Sequence, residues 1–404
     1  MIYQVSKADK RISGRIHLSG SKSISNRVLI MEALMGKTVQ KQNLSDSNDT
    51  NLLTSLLSAT GNEFDAHDAG TAFRFLTAYL AIKEGTWILT GSERMKQRPI
   101  GDLVDPLRLL GARIEYLGRE GFPPLKITGS SMTGGHVKVQ AGISSQFASA
   151  LLMIAPGMRD GLTLELTGEV VSEPYIDMTL SLMKHFGVQH TRSAASIHIA
   201  PQSYQPKDIF IESDWSAASY YYEMAAFSDE LDLTLAGLLQ HSFQGDAKIA
   251  SFMESFGVAT SYSGQEIKLS KITPSAALRF HLKDQPDLAP AMFVTSGGLS
   301  VPARFTGLEH LQYKESDREA ALRSELLKCG ITIGREGEAI TIDGQFRPVS
   351  TSFSTYLDHR MAMAFAPLAI LCGSVNIENP AVVKKSYPKY WDDIKSLGFA
   401  ISEI

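Results

Sequence analysis

The sequence predicts an α/β protein of two domains, each built from three similar units, and three observations lead to this fold class. The chain has 404 residues, more than one ordinary hydrophobic core holds, so two domains are expected. A helix that ends at a glycine and runs into a short strand recurs six times along the chain. A second series of six apolar helices alternates with those segments. Each unit is therefore expected to run strand–helix–strand–helix–strand–strand.

The glycine-terminated helices set the repeat length. Their segments are TNLLTSLLSATGNEF, LVDPLRLLGARIEY, TLSLMKHFGVQH, IASFMESFGVAT, LRSELLKCGITIG and DDIKSLGFAIS. The glycines are Gly61, Gly111, Gly187, Gly257, Gly330 and Gly398, at intervals of 50, 76, 70, 73 and 68 residues. A glycine just past a helix adopts the left-handed conformation at little cost, so each is expected to end its helix there. The short first interval predicts that the first unit is trimmed, between about residues 61 and 70.

The second helix series is apolar on nearly every face and rich in Ala and Ser. Its segments are SKSISNRVLIMEAL, DAGTAFRFLTAYLA, SSQFASALLMIAP, DWSAASYYYEMAAF, PDLAPAMFVTSGG and DHRMAMAFAPLAIL. A helix without a polar face is buried rather than amphipathic. Each of these segments begins at or near Ser or Asp, which favours N-caps at those positions. Strand-like runs such as GRIHLSG, TWILTG and LTLELTG lie between the helices.

Composition excludes several classes of function. Charged residues make up 20% of the chain and its net charge is −4, whereas general nucleic-acid and membrane-surface binders are usually basic, so any positive site must be local. The longest apolar helix, MAMAFAPLAILC, is too short to span a bilayer, and MIYQVSKADKR lacks the apolar core of a signal peptide. Cys329 and Cys372 lie in apolar surroundings outside any CxxC pair. We expect reduced core thiols in a cytoplasmic protein.

Cationic residues gather at the starts of the buried helices and in the loops before them. They are Lys22 and Arg27 in LSGSKSISNRVL, Arg74 in AGTAFR, Arg98 in RMKQRPIG, Lys314 and Arg318 in YKESDRE, Arg360 in DHR, and Lys385 in KKSYP. Any one of these residues, taken alone, could be an ordinary surface charge exposed to solvent. Their recurrence beside helix N-termini, whose free N–H groups and dipole attract anions, instead predicts one positive pocket. So many cations suit more than one phosphate or carboxylate group, which guanidinium groups bind best.

Two carboxylates are candidates for proton transfer. Asp287 in QPDLAP precedes a buried helix, and Glu315 stands beside Lys314 and close to Arg318. Neighbouring cations favour the ionised carboxylate while burial raises its pKa, so either group can be tuned to move protons at neutral pH. For Asp287 alone, the local sequence leaves a plain helix N-cap open as the alternative.

Several cofactor motifs are absent from the sequence. GRIHLSGSKS lacks the GxxxxGK[ST] spacing of a phosphate-binding P-loop, and SGSK lacks the SDN and KTG partners of serine acyl-enzymes. The chain has no HExxH zinc motif, no glycine in DSNDTN as a calcium loop requires, and no GxGxxG after a strand. Neither a catalytic metal nor a nucleotide cofactor is expected.

Nine stretches of the chain together match the pattern of one enzyme family. They are SGSKSISNR, AGTAFR, RMKQRPIG, SSQFASALLM, VSEPYIDMTL, PD, YKESDR, DHRMAM and KKSYP. In this order they resemble EPSP synthase (3-phosphoshikimate 1-carboxyvinyltransferase), an enolpyruvyl transferase family, over nearly the whole chain. The resemblance implies a two-domain inside-out α/β barrel of six βαβαββ units. We expect one domain over residues 20–213 and a second over 1–19 plus 214–404, with the active site in the cleft between them.

The resemblance implies transfer of the enolpyruvyl group of phosphoenolpyruvate to the 5-hydroxyl of shikimate 3-phosphate, with release of phosphate. The residues implied for shikimate 3-phosphate are Lys22, Ser23, Arg27, Ser144, Ser145, Gln146, Ser172, Tyr175, Asp287, His310 and Lys314. The residues implied for phosphoenolpyruvate are Lys22, Gly70, Arg98, Gln146, Arg318, Arg360 and Lys385. The resemblance also implies a monomer that needs no metal or other cofactor, with neither nucleic acid nor membrane as a partner.

This chemistry requires proton transfer at two places, because the 5-hydroxyl loses a proton while the methylene carbon of phosphoenolpyruvate gains one. We assign Asp287 and Lys314 to the hydroxyl, and Lys22 and Glu315 to the methylene carbon. Which member of each pair is the acid and which is the base stays open. The surrounding cations stabilise the charge that develops on phosphate and carboxylate, and domain closure excludes water.

Four features depart from the family pattern, and two other functions stay open. The departures are the short first interval, Asp68 where Asn is common, Phe75 where Pro is usual, and His310 where several members have Asn. One alternative is UDP-N-acetylglucosamine enolpyruvyl transferase, which shares the fold but carries its reactive cysteine in a mobile polar loop. The other is a non-catalytic anion-binding relative, which would have lost charged site residues.

Overall fold

A computed structural model describes residues 1–140, 145–168, 171–275 and 278–404. The chain forms two compact lobes. Lobe I is Ser21–Ile211, and lobe II combines Met1–Gly20 with Glu212–Ile404. Each lobe has its own hydrophobic core of buried aliphatic and aromatic side chains.

Helices and strands alternate along both lobes. The helices are α1 (Lys22–Met35), α2 (Asn48–Ser58), α3 (Gly70–Ile82), α4 (Glu93–Lys96), α5 (Gly101–Leu109), α6 (Ser145–Ile154), α7 (Glu173–His185), α8 (Trp215–Phe227), α9 (Ile249–Glu254), α10 (Ala289–Gly298), α11 (Arg318–Leu327), α12 (His359–Phe365), α13 (Ala369–Cys372) and α14 (Tyr390–Ser396). The strands are β1 (Ile2–Ser6), β2 (Arg11–His17), β3 (Lys41–Gln42), β4 (Glu63–Asp65), β5 (Gly85–Thr90), β6 (Arg113–Tyr116), β7 (Leu125–Gly129), β8 (Gly135–Gln140), β9 (Leu162–Thr167), β10 (Thr191–Arg192), β11 (Ser196–Ile199), β12 (Ile209–Phe210), β13 (Glu230–Ala236), β14 (Val258–Ser263), β15 (Glu266–Lys271), β16 (Leu278–His281), β17 (Ala303–Thr306), β18 (Ile331–Glu336), β19 (Ala339–Gly344), β20 (Ser352–Phe353), β21 (Ser374–Glu378) and β22 (Ala400–Glu403).

One sheet topology recurs in both lobes. Strand β4 pairs in parallel with β5, and the antiparallel hairpin of β6 and β7 joins β5 through β7. The same arrangement recurs in the sheets β8-β9-β11-β10, β2-β13-β15-β14, β16-β17-β19-β18 and β20-β21-β1-β22. A sixth sheet, within the described part of the chain, is the parallel pair β12 and β3. This repetition confirms the predicted α/β fold, and the two-stranded sheet confirms that the first unit is trimmed.

The glycine ends of the outer helices follow the prediction with one exception. The left-handed φ angles are 105° at Gly111, 86° at Gly187, 85° at Gly257, 78° at Gly330 and 88° at Gly398. The prediction is wrong at the glycine of residue 61, which has no left-handed φ. Helix α2 has already ended at Ser58, and its cap Ala59 is extended. The chain of the trimmed unit therefore reaches β4 without a glycine-ended helix.

The inner helices are buried, as their lack of a polar face predicts. Every residue of α8 from Ala217 to Phe227 is buried, and so is every residue of α10 from Ala289 to Gly297. Each fully buried large apolar side chain stabilises the fold by about 1.5–3 kcal/mol. The small residues between them let neighbouring elements approach closely.

Side-chain caps begin three of these inner helices. The capping residues, each accepting a hydrogen bond from a backbone N–H two or three residues later, are Ser21, Asp214 and Asp358. Helix α3 follows Ala69 and α10 follows Leu288, and neither has a side-chain cap. The caps predicted there are wrong because the carboxylates have other partners: Asp68 accepts a hydrogen bond from a serine hydroxyl, and Asp287 binds arginines. Residue 144, ahead of α6, lies outside the described residues.

Lobe II is built from two separate stretches of the chain. Strand β1 pairs with both β21 and β22, and β2 pairs with β13. The chain leaves this lobe after Gly20 and returns at Glu212. The two crossing points lie together, because Gly20 forms an antiparallel bridge with Ser213, whose hydroxyl donates to the Leu18 carbonyl oxygen at 2.6 Å. Lobe I is therefore a continuous insertion into lobe II.

The structure bears on two further predictions, the absence of a membrane-spanning helix and the state of the two cysteines. Among the residues that the structure describes, no helix combines the length and the apolar character that a membrane span needs. Both cysteines are free thiols, Cys329 buried and Cys372 partly buried. Burial raises the pKa of Cys329 to about 12 and also raises the pKa of Cys372. Neither thiol is a strong nucleophile at neutral pH.

One acid lies inside the apolar core of lobe II. Glu223 on α8 is fully buried, and neither of its carboxyl oxygens has a hydrogen-bond partner within the described part of the chain. Burial raises the pKa of Glu223 well above its ordinary value, so the folded protein holds a proton there that the unfolded chain releases at neutral pH. The contribution of Glu223 to the free energy of unfolding is therefore present below the ordinary glutamate pKa and is lost as pH rises.

Glu223→Met is expected to raise the free energy of unfolding at pH 8 by about 1–3 kcal/mol, because it removes a buried polar group without partners. The gain should be smaller at pH 5, where the wild-type protein keeps more of its stability. Urea unfolding at both pH values measures the difference. Glu254→Met, at an exposed position of α9, is the control. An identical gain at the two pH values would contradict a neutral buried acid.

Candidate active site

Seven charged side chains of lobe II form one connected group. They come from the turn before α10, the segment that leads into α11, the start of α12 and the turn that ends at residue 385. We call them the charged cluster: Asp287, Lys314, Glu315, Arg318, Asp358, Arg360 and Lys385. Every member is joined to another by an ion pair of 3.7 Å or less. The fold thus brings together six residues that the sequence analysis singled out and adds Asp358.

Arg318 is the centre of the charged cluster and is 1% exposed. Its Nε donates to Asp358 Oδ2 at 2.8 Å, its Nη1 to Asp287 Oδ1 at 2.9 Å, and its Nη2 to Glu315 Oε2 at 2.9 Å. A lysine cannot address three carboxylates from one planar group. Burial lowers the pKa of Arg318, but the three carboxylates outweigh burial and raise it above the ordinary value. Arg318 is therefore a permanent cation that fixes three acids in place.

Asp287 lies among three cations. Its Oδ2 accepts from Arg360 Nη2 at 2.7 Å, and Lys314 Nζ lies 3.7 Å from its Oδ1. Burial raises the pKa of Asp287, yet the attraction of Arg360, Lys314 and Arg318 outweighs burial and holds that pKa well below the usual range. Asp287 is therefore a carboxylate at neutral pH, and its side chain does not cap α10.

Lys314 is the cation of the cluster whose charge is easiest to alter. Burial lowers the pKa of Lys314, Arg318 and Arg360 lower it further, and Asp287 and Glu315 oppose them only in part. Its Nζ lies 3.7 Å from Asp287 Oδ1, which is longer than a good hydrogen bond. An ammonium group with a lowered pKa can give up its proton nearer to neutral pH.

Glu315 links Arg318 to Lys385. Its Oε2 accepts from Arg318, and its Oε1 lies 3.4 Å from Lys385 Nζ. The side chains of Glu315 and Lys385 remain 20% and 17% exposed. Since this part of the cluster reaches solvent, a ligand can contact both groups.

A further carboxyl group next to the cluster, Asp246, was missed by the sequence analysis. It is 3% exposed and accepts a hydrogen bond from the Ser216 hydroxyl, while its Oδ1 has no partner within the described residues. Burial, together with the negative charge of Asp287, raises the pKa of Asp246 to about 7. Neighbouring carboxyl groups with opposite pKa shifts are typical of sites that move protons.

In lobe I, Arg27 is a buried cation with no carboxylate partner among the described residues. It is 1% exposed, its Nε donates to Thr179 Oγ1 at 2.6 Å, and its Nη2 donates to Ser149 Oγ at 3.1 Å. The guanidinium carbon also lies 5.3 Å from the ring centre of Phe75 and 5.8 Å from that of Tyr175. Burial lowers the pKa of Arg27 to about 10. A buried charge without a counter-ion favours the binding of an anion nearby.

The N-terminus of α3 provides a second cationic place in lobe I. Helix α3 begins at Gly70 without a side-chain cap, so its first N–H groups have no intrahelical partner. Arg74 and Arg98 flank Gly70, because a Cβ added there would lie 2.6 Å from an Nη1 of each arginine. The side chain of Arg98 forms neither a hydrogen bond nor an ion pair within the described part of the chain. Its guanidinium is therefore available for an anion beside the helix start.

Lys22 opens α1 and is paired with Asp49, another residue that the sequence analysis missed. Its Nζ lies 3.2 Å from Asp49 Oδ2, and the two side chains are only 14% and 7% exposed. Asp49 lies in the first turn of α2, where an acid is ordinarily explained by the helix dipole. The sequence therefore carried no sign of this pairing. The carboxylate fixes the direction of the ammonium group.

The other predicted residues of lobe I lie mostly at helix starts. Ser23 follows Lys22 in α1, and Ser145 is the first residue of α6. Gln146 Nε2 donates to Thr71 Oγ1 at 3.2 Å, which places the start of α6 beside the start of α3. Ser172, ahead of α7, has a φ of 60°, a strained conformation of the kind found at binding sites.

The predicted residues thus form two sets, one in each lobe. Two of them are not part of this description: Ser144 lies outside the described residues, and so does the side chain of His310. Within the part of the chain that is described, no group of three or more His, Cys, Asp or Glu side chains is arranged to hold a metal ion.

Comparison with known proteins settles the family. A family model described as EPSP synthase (3-phosphoshikimate 1-carboxyvinyltransferase) matches residues 6–68 and 54–394. The chain belongs to the EPSP synthase family. A 3-phosphoshikimate 1-carboxyvinyltransferase of Bacteroides fragilis is 47% identical over 402 residues, which cover 98% of this chain and 97% of the relative. One of Vibrio cholerae is 37% identical over 415 residues, covering 96% and 97%.

Solved structures share the fold of this EPSP synthase family member. An EPSP synthase from Acinetobacter baumannii superimposes with a TM-score of 0.80 at 20% identity, covering 100% of both chains. The enolpyruvyl transferase NikO from Streptomyces tendae gives a TM-score of 0.76 at 15% identity, covering 99% of this chain and 98% of that one. The two segments of the EPSP synthase family match meet at residues 54–68, within the trimmed first unit.

Proposed function

We propose that this EPSP synthase family member transfers the enolpyruvyl group of phosphoenolpyruvate to the 5-hydroxyl of shikimate 3-phosphate, in the shikimate pathway. The observation that carries the proposal is Asp287, a carboxylate held ionised among Arg318, Arg360 and Lys314. Such a group can accept a proton while the cations around it attract an anionic substrate. The shared name of the relatives, 3-phosphoshikimate 1-carboxyvinyltransferase, supports the same reaction.

The reaction is an addition followed by an elimination. In the addition, the 5-hydroxyl oxygen bonds to the central carbon of phosphoenolpyruvate and loses its proton, while the methylene carbon gains a proton and becomes a methyl group. In the elimination, that methyl group gives up a proton, the double bond re-forms, and the bond between the central carbon and the phosphate oxygen breaks. The products are 5-enolpyruvylshikimate 3-phosphate and phosphate, so atoms and electrons balance without another reactant.

Two pairs of residues move these protons. Asp287 and Lys314 act at the 5-hydroxyl, and Lys22 and Glu315 act at the methylene carbon. The pKa of Asp287 lies well below its usual range, and the pKa of Lys314 is lowered from the ordinary lysine value. The pH dependence of kcat therefore tells which of the two is the base. If neutral Lys314 is the base, kcat rises with pH until its lowered pKa is passed; if Asp287 is the base, kcat is flat above the acid range.

The remaining predicted residues bind the substrate anions. The residues proposed for phosphoenolpyruvate are Lys22, Gly70, Arg98, Gln146, Arg318, Arg360 and Lys385. Each Nη of Arg318 carries a second N–H beside the one that holds a carboxylate. Shikimate 3-phosphate binds to Lys22, Ser23, Arg27, Ser144, Ser145, Gln146, Ser172, Tyr175, Asp287, His310 and Lys314. Buried Arg27 supplies the uncompensated charge for this second anion.

Gly70→Ala is expected to raise the KM for phosphoenolpyruvate about tenfold, because the new Cβ displaces the guanidinium of Arg98 and a charged hydrogen bond is lost. The protein should still fold, since the atoms that clash are the mobile ends of Arg74 and Arg98. Steady-state kinetics with each substrate varied in turn provide the measurement. Gly61→Ala is the matched control, because a Cβ there meets nothing within 4 Å. Equal changes in the KM of both substrates would contradict this placement of phosphoenolpyruvate.

The decisive experiment measures phosphate release from phosphoenolpyruvate with shikimate 3-phosphate or UDP-N-acetylglucosamine as the acceptor. Release with shikimate 3-phosphate alone is the expected result. Release with the nucleotide sugar alone would assign the protein to the alternative enzyme, and no release from folded protein with either acceptor would assign it to the anion-binding relatives. We further propose that the enzyme is a cytoplasmic monomer without a cofactor. Light scattering should show one chain per particle, and chelator should leave the rate unchanged.

A further inference from the structure

A strained turn leads from β20 into the charged cluster. Tyr356 and Leu357 have φ angles of 51° and 57°, in the left-handed region that residues other than glycine rarely adopt. Leu357 is also 72% exposed, so packing of its side chain does not compensate for this conformation. The next residue is Asp358, and Arg360 follows two residues later. Strain stored beside binding residues persists only where the surroundings enforce it.

Two residues of α11, Arg318 and Glu325, hold this turn from both sides. After the turn, Arg318 Nε donates to Asp358 Oδ2 at 2.8 Å. Before and within it, Glu325 accepts from the backbone N–H of Ser354 at 3.0 Å and from the Tyr356 hydroxyl at 2.9 Å. Arg318 and Glu325 are seven residues apart, and two helical turns place them on the same side of α11. The strained residues therefore lie between two fixed points on one helix.

Glu325 is a rigid acceptor rather than a mobile surface acid. It is 1% exposed, and Lys328 Nζ donates to its Oε2 at 2.6 Å. The same lysine donates to the Ser352 carbonyl oxygen at 2.8 Å, so it also holds the chain that enters the turn. A buried carboxylate with its own cation and further donors keeps one geometry.

We infer that Tyr356 is a positioning residue that, through Glu325, holds this turn in the conformation that directs Arg360 into the charged cluster. The inference rests on the proposed function, in which Arg360 binds phosphoenolpyruvate. The backbone N–H of Arg360 donates to Asp358 Oδ1 at 2.9 Å, and its Nη2 donates to Asp287. When the tyrosine hydroxyl is removed, the turn relaxes toward ordinary φ angles, and Arg360 moves with it.

Tyr356→Phe removes this hydroxyl and little else, because the side chain is 40% exposed. We expect the KM for phosphoenolpyruvate to rise about tenfold, as for loss of a hydrogen bond to a charged group. The KM for shikimate 3-phosphate should change by less than about twofold, since Arg360 is not among its ligands. The matched control is Tyr222→Phe, which removes a hydroxyl that pairs with Thr260 in the same lobe.

A second substitution separates positioning from simple stabilisation. Asparagine tolerates the left-handed region far better than leucine, so Leu357→Asn should relieve the strain that Tyr356 opposes. Added to Tyr356→Phe, it should return the KM for phosphoenolpyruvate to within about threefold of the wild-type value. Leu357→Asn alone should leave that KM unchanged and raise the melting temperature.

The outcomes distinguish this inference from the function on which it rests. Wild-type protein without shikimate 3-phosphate-dependent phosphate release would overturn both. An active wild-type enzyme combined with an unchanged KM for phosphoenolpyruvate in Tyr356→Phe would overturn the inference alone. A raised KM that Leu357→Asn does not rescue would also overturn it, because strain would then not be what the hydroxyl opposes.

Discussion

Asp287→Asn is expected to lower kcat by about 10²–10⁴-fold with both substrates saturating, the usual contribution of a group that transfers a proton. The neutral amide cannot accept the proton of the 5-hydroxyl. It also leaves Arg318, Arg360 and Lys314 facing one another without the negative charge that holds them in place. The pKa of Lys314 should fall further, because Asp287 is the first of the groups that oppose its lowering. Phosphate release under saturating conditions measures the loss.

The control for this substitution is Asp284→Asn, three residues earlier. Asp284 has no hydrogen bond or ion pair within the residues that the structure describes, so kcat should stay within about twofold of the wild-type value. Melting curves for both variants test whether they fold. A folded Asp287→Asn enzyme that keeps more than about a tenth of the wild-type kcat would remove Asp287 from proton transfer and leave it a structural counter-ion.

Arg318→Met is expected to lower the free energy of unfolding at pH 8 by about 3–5 kcal/mol, because it leaves a fully buried Asp358 without its cation. In the wild-type protein, the depressed pKa of Asp287 contributes stability above the ordinary aspartate pKa, and this contribution is lost as pH falls. Without Arg318, Asp287 takes up a proton more readily. The deficit should therefore be equal at pH 5 and pH 8 and should shrink only below about pH 4, as urea unfolding across this range would show.

Arg323→Met is the matched control on the same helix. Arg323 is 43% exposed and pairs with Glu319 at 3.0 Å, so its loss should change the unfolding free energy by about 1 kcal/mol or less. If Arg318→Met were no more destabilising than Arg323→Met, the charged cluster would not be holding lobe II together. Activity should be lost in the first variant and kept in the second.

The fold was predictable because its repetition leaves marks throughout the sequence. The glycines after the outer helices and the helices without a polar face predicted six units, and one short interval predicted which unit is trimmed. The prediction failed at Gly61 because the first unit is trimmed there and its helix α2 already ends at Ser58. Local patterns predict local structure well when each unit repeats them.

The site was predictable only in part, because its contacts join distant parts of the chain. The resemblance pointed to Arg318 and Asp287 as separate ligands, but not to the hydrogen bond between them across 31 residues. Asp49 and Asp358 were missed because an acid at a helix start already has an ordinary explanation. The strain at Leu357 was hidden as well, since leucine is not a residue type that indicates a left-handed turn.

The insertion of lobe I into lobe II sets an order for folding during synthesis. All of Ser21–Ile211 is made before most of lobe II exists, so lobe I can fold on the ribosome. Strand β1 must wait for β21 and β22, about 370 residues later, which at 5–20 residues per second is roughly 20–75 seconds. Through that interval β1 is an unpaired strand, and a nascent chain stalled before β21 would expose it to other partners. A growing chain can therefore carry a folded lobe I beside an open lobe II sheet for roughly 20–75 seconds.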